Sequence, residues 1–60
     1  MHLAVDAEDV RLLLAVLEAH ATMLSHEIHK AATREFRKRL EQEEERTKAL
    51  IARLQHLQAS

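Results

Sequence analysis

The sequence contains no cysteine, proline, glycine, asparagine, tryptophan or tyrosine, and its only aromatic residue is Phe36. Without cysteine there is neither a disulfide nor a thiolate metal site to staple a chain of 60 residues. Without glycine there is no phosphate-cradling loop and no nucleophile elbow. Without proline or glycine, nothing breaks a helix on chemical grounds. Long hydrophobic runs are missing too: the longest, Leu12 to Leu17, is far short of the ~20 residues a membrane span needs. A membrane partner is therefore not expected. The first nine residues carry Asp6, Glu8 and Asp9 instead of a basic leader, so no signal peptide is expected and the default location is the cytoplasm. Charge of one sign is also lacking. Nine Lys and Arg stand against ten Asp and Glu, for a net charge of −1, and 47% of residues are hydrophobic, which argues against disorder.

What is present is helix-forming. Ten Ala and ten Leu accompany many Glu, Arg and Lys, the composition of long helices and coiled coils. The expected fold class is all-α. So short a chain forms at most one small domain, which often needs outside support. With disulfides excluded, association with another chain is the remaining source of it, most commonly as a homodimer.

The stretch Val10 to Ile28 organises the rest. Val10, Leu14, Leu17, Ala21, Leu24 and Ile28 recur at alternating steps of four and three, the spacing of a helix packed along another helix. Leu13 widens this seam. A second set, Leu12, Val16, Ala19 and Met23, lies roughly 140–160° further round the helix at 100° per residue. A helix with two apolar stripes is expected to be covered on two sides. Leaving Leu12, Val16 and Met23 in water would forgo about 1.5–3 kcal/mol each.

Asp6 and Asp9 are good N-cap residues, and with Glu8 they put negative charge at the positive end of the helix dipole. The first helix is therefore expected to start near Asp6. Leu3 is expected to extend the first seam toward the N-terminus. The second half carries Phe36, Leu40, Glu43, Thr47, Leu50, Leu54 and Leu57 at the same four-three alternation, with Ile51 widening it. The two seams are out of phase, because Ile28, Ala32, Phe36 and Leu40 follow by three successive fours.

Two architectures answer to this break. One is a single long helix of roughly 75–80 Å at 1.5 Å per residue, in a coiled coil with a stutter. The other is an αα-hairpin with a helix over about 6–30, a turn at about 30–33 and a helix over about 34–58, forming one helical domain over residues 1–60. Folding about residue 32 brings Ile28 to Phe36, Leu24 to Leu40, Leu17 to Thr47, Leu14 to Leu50 and Val10 to Leu54. Thr33 is placed to cap the second helix, with Glu35 in its first turn. The hairpin is the favoured reading, with two hairpins dimerising into a four-helix bundle in which the first helices meet.

Candidate chemistry is sparse. His26 and His29 are three apart with Glu27 between them, which is not the metalloprotease pattern of two His four apart. They read as surface or interface-rim histidines, and no metal or other cofactor is expected. Lys30, Arg34 and Lys38, with Arg37 beside them, form a basic row at four-residue spacing that could contact phosphates. Glu41, Glu43, Glu44 and Glu45 follow at once and no stacking aromatics accompany it, so nucleic-acid binding is the disfavoured alternative. Glu43 and Thr47 fall where the second seam should be apolar and could set register as a polar layer. Glu44 and Lys48 are spaced for a helical ion pair. Adjacent Ser25 and His26 do not face one another on a helix, so no nucleophile is assembled and an enzyme is not expected.

The expected function is a small non-enzymatic interaction module: a homodimeric regulator that binds and modulates another protein. A structural coiled-coil spacer is the reading that follows from a straight helix. The self-association and partner surface is expected to comprise Val10, Leu12, Leu13, Leu14, Val16, Leu17, Met23, Leu24, Ile28, Phe36, Leu40, Leu50, Ile51, Leu54 and Leu57.

Overall fold

A helix starts where four unpaired amide groups find acceptors. In the computed structural model, which describes residues 4–59, Asp6 provides one of these acceptors. Its carboxylate accepts from the Asp9 amide at 2.8 Å, and the Asp9 carboxylate accepts from the Asp6 amide at 3.2 Å, a reciprocal capping box. Helix α1 then runs Ala7–Lys30, with Glu8 and Asp9 at its positive end and His29 and Lys30 at its negative end. Leu3 lies outside the described residues.

The chain turns at residues 31–33, which settles the architecture as an all-helical hairpin and excludes one continuous helix. The lack of glycine is no obstacle. Ala31 leaves α1 with φ −60 and ψ 123, an extended conformation open to any residue, and no described residue has positive φ. Thr33 then begins α2, Arg34–Ala59. The Thr33 hydroxyl accepts from the Phe36 amide at 3.2 Å and its carbonyl accepts from the Arg37 amide at 3.1 Å. Removing this cap in Thr33→Ala is expected to cost about 1 kcal/mol. A thermal melt at matched protein concentration would show a midpoint lower by roughly 4–8 °C, with Thr33→Ser close to wild type.

The two helices pack antiparallel in a body with extents of 40 × 22 × 16 Å. The α1 seam turns inward as a whole: Val10, Leu14 and Leu24 are buried, and Leu17, Ala21 and Ile28 are half-buried. Val10, Leu14 and Leu54 form the core, with Leu17 and Ile51 packed against it.

The α2 seam is displaced from its expected line. The residues that turn inward are Leu40, Glu44, Thr47, Ile51 and Leu54, while Phe36, Glu43, Leu50 and Leu57 are exposed. Leu40, Thr47 and Leu54 belong to both lines. At the steps between them the helix turns its later residue inward, because the pairs Glu43–Glu44 and Leu50–Ile51 straddle the contact line. Thr47 tolerates burial because its hydroxyl donates to the Glu43 carbonyl one turn back, at 2.8 Å. Glu44, half-buried, holds its carboxylate 3.8 Å from the ammonium of exposed Lys48, the expected ion pair.

No side chain of the described residues is fully buried, so the hairpin alone has little interior.

Candidate interaction surface

The exposed apolar residues are not scattered. Measured round α1 from the line facing α2, at about 100° per residue, Leu13 lies about 60° to one side. His20 follows at about 80°, Val16 at about 120°, Met23 at about 140° and Leu12 at about 160° on that same side. Measured likewise round α2, Phe36 lies about 40°, Glu43 about 60°, Leu50 about 80° and Leu57 about 100° to one side. Antiparallel helices bring flanks of the same rotational sense to the same side of a hairpin.

A long-range contact confirms this. His20 Nε2 and Glu43 Oε2 are 3.0 Å apart, one from each flank. Leu13, Val16, Met23, Phe36, Leu50 and Leu57 therefore share one broad face, with Leu12 at its outer edge and the His20–Glu43 pair in its middle. Exposure is substantial, reaching 51% for Met23 and 59% for Leu57. The opposite face carries Arg11, Glu18, Thr22, Ser25 and His29 from α1, and Arg37, Glu41, Lys48 and Gln55 from α2. The hairpin is thus two-sided: apolar on one broad face, polar on the other.

The residues expected to form the interaction surface divide between two places. Val10, Leu14, Leu24 and Leu54 are buried between the helices, and Leu17, Ile28, Leu40 and Ile51 are half-buried there. Leu12, Leu13, Val16, Met23, Phe36, Leu50 and Leu57 are the exposed set.

The basic row does not survive as one stripe. Lys30 ends α1, whereas Arg34 and Lys38 lie on α2 with the turn between them, so four-residue spacing no longer aligns all three. His26 and His29 line a shallow depression with Thr22 and Ser25, on the polar side. The His29 ring nitrogen Nδ1 lies 2.9 Å from the Ser25 carbonyl oxygen, to which it donates in the tautomer protonated there. Among the described residues no group of three or more His, Cys, Asp or Glu could hold a metal ion, and no helix is long and apolar enough to cross a membrane.

The His20–Glu43 pair is the feature that sequence periodicity did not expose. Folding about residue 32 puts His20 level with Glu44, one residue away from its actual partner. No family model matches this sequence, and comparison with curated proteins and with solved structures likewise finds no match.

Proposed function

We propose that the chain is a non-enzymatic helical interaction module that self-associates as a homodimer, two hairpins closing into a four-helix bundle. The observation that carries this reading is the one-sided apolar face. A two-helix layer has a core only on the line between its helices, and a stable layer architecture needs its apolar face covered by another layer. Seen broadside the hairpin measures 40 × 22 Å, a footprint of roughly 900 Å², comparable to the ~800 Å² per partner of a standard interface. A second copy supplies a face of matching size and chemistry. The polar faces then point outward, and there the dimer would meet the protein it regulates. In this reading the chain acts by docking, without bond-making chemistry of its own.

Sedimentation equilibrium tests the assembly. A mass of twice 6.9 kDa is the expected result. A mass of 6.9 kDa up to the highest soluble concentration would remove the proposal.

A further inference from the structure

Two hairpins can stack face to face in two symmetric ways. A two-fold axis parallel to the helices keeps both turns at one end and lays α1 of each copy along α2 of the other. A two-fold axis perpendicular to the helices puts the turns at opposite ends, with α1 along α1 and α2 along α2. From the distribution of charge beside the apolar face, and resting on the self-association proposed above, we infer that the copies pack with their turns at the same end, α1 against α2 and not first helix against first helix as periodicity alone suggests.

The charges that decide this lie on the outer margins of the face. Arg39, Arg46 and Arg53 recur at seven-residue spacing and lie about 100–140° round α2, on the same side as Leu50 and Leu57. On the matching margin of α1, Asp9 and Glu27 lie about 100° round, with Val16 and Met23 between them in sequence. All five charged residues are exposed. Among the described residues none of them takes part in an ion pair within the hairpin.

Heights along the hairpin follow from its register. His20 stands beside Glu43, and Leu57 lines one depression with Ala7, so positions summing to about 63 or 64 are level. In the same-end arrangement a helix of one copy meets the other helix of the second copy at unchanged height. Arg53 then comes level with Val10 and Arg11 of the second copy, one to two residues from Asp9, and Arg46 comes level with Leu17 and Glu18, one to two residues from Val16. Arg39 comes level with Leu24, within about one helical turn, roughly 5 Å, of Glu27. The Arg46 stem can lie along the apolar strip of Val16 and Met23 while its guanidinium stays wet. Glu35, at the turn end of this margin, comes within about one turn of Lys30 of the second copy.

The opposite-end arrangement sets the three arginines, and the pair Asp9 and Glu27, against their own kind. Laying α2 antiparallel on α2 about its midpoint brings Arg46 to Arg46 and each Arg39 to an Arg53. Laying α1 on α1 brings each Asp9 to the height of Glu27. Like charges meet along both seams, which disfavours that pairing and leaves the other.

The absence of cysteine makes the test direct. A nitroxide attached to Ala32→Cys, in the turn, reports the distance between the two turns by double electron–electron resonance on the full chain. Packed helices lie about 8–10 Å apart, so with label arms the same-end arrangement gives roughly 15–30 Å. The hairpin is 40 Å long, so the opposite-end arrangement gives a distance of that length or more. Ala7→Cys, at the open end, is expected to report a short distance as well, and it serves if the turn label disturbs folding. Long distances at dimer mass overturn the inference while leaving self-association standing. Monomer mass with no dipolar coupling overturns self-association itself, and the inference with it.

Discussion

Leu24→Ala is expected to lower the thermal midpoint by at least about 10 °C, and to leave the chain partly unfolded at 37 °C. Leu24 is the most deeply buried of the core residues, at 2% exposure. Truncating a buried Leu to Ala costs about 2–5 kcal/mol, the lost transfer energy plus a cavity term. A small domain has about 5–15 kcal/mol in all. Here the loss falls on an unusually thin interior. The other buried side chains are Val10, Leu14, Thr47 and Leu54, and the core cluster of Val10, Leu14 and Leu54 sits toward the open end. Leu24 lies nearer the turn, with half-buried Leu40 at its level on α2 and half-buried Ile28 one turn further along α1. Its removal leaves the turn end without a buried anchor. Leu24→Met, which nearly conserves volume, is expected to cost less than about 1.5 kcal/mol. Circular dichroism melts of the three chains at one concentration decide the matter, since association would otherwise shift the midpoints. A Leu24→Ala chain melting like wild type would mean that the interhelical contact does not run through residue 24.

The contrast between Leu24 and its sequence neighbour Met23 shows how far periodicity could be read. One residue is 100° of helix, so Met23 is half exposed while Leu24 is sealed. On α1 every step of the four-three series has an apolar residue on the line and mostly polar ones beside it, and the whole seam is inward. On α2 the pattern is ambiguous at two places. Leu50 and Ile51 are both apolar, and Glu43 and Glu44 are both acidic, so sequence cannot say which of each pair crosses the contact line. The structure chooses Glu44 and Ile51, and Leu50 is left for the outer face. That choice makes the broad face apolar. The turn was legible through the phase break and Thr33, and its conformation was not, since Ala31 and Ala32 carry no signature of their own. The His20–Glu43 contact was hidden for another reason. It links residues 23 apart and depends on the hairpin register to within a single residue. The basic row from Lys30 to Lys38 is interrupted by the turn, because its four-residue spacing assumed a helix across residues 31–33.

A charge at position 16 is expected to act according to its sign, and this follows from the same-end arrangement alone. Val16 is exposed at 56% in the hairpin, so either charge is tolerated by the fold of one copy. In the same-end dimer it faces Arg46 of the second copy, twice by symmetry. Val16→Arg sets two like-charge encounters against the interface and is expected to weaken dimerisation tenfold or more, about 1.4 kcal/mol or above. Val16→Glu loses the same apolar contact but gains two pairs with Arg46, and its dissociation constant is expected within roughly threefold of wild type, given the modest worth of exposed pairs. The gap between the variants should narrow as salt rises, because exposed charges are screened over about 8–10 Å at 0.10–0.15 M ionic strength. Adding Arg46→Glu to Val16→Arg should restore association, whereas adding it to Val16→Glu should abolish it. The opposite-end arrangement predicts otherwise. There residue 16 lies along α1 of the second copy, away from Arg46, so exchanging the sign at position 46 would not rescue Val16→Arg. Sedimentation of the four variants at low and high salt therefore reads out which helix of one copy lies against Val16 of the other.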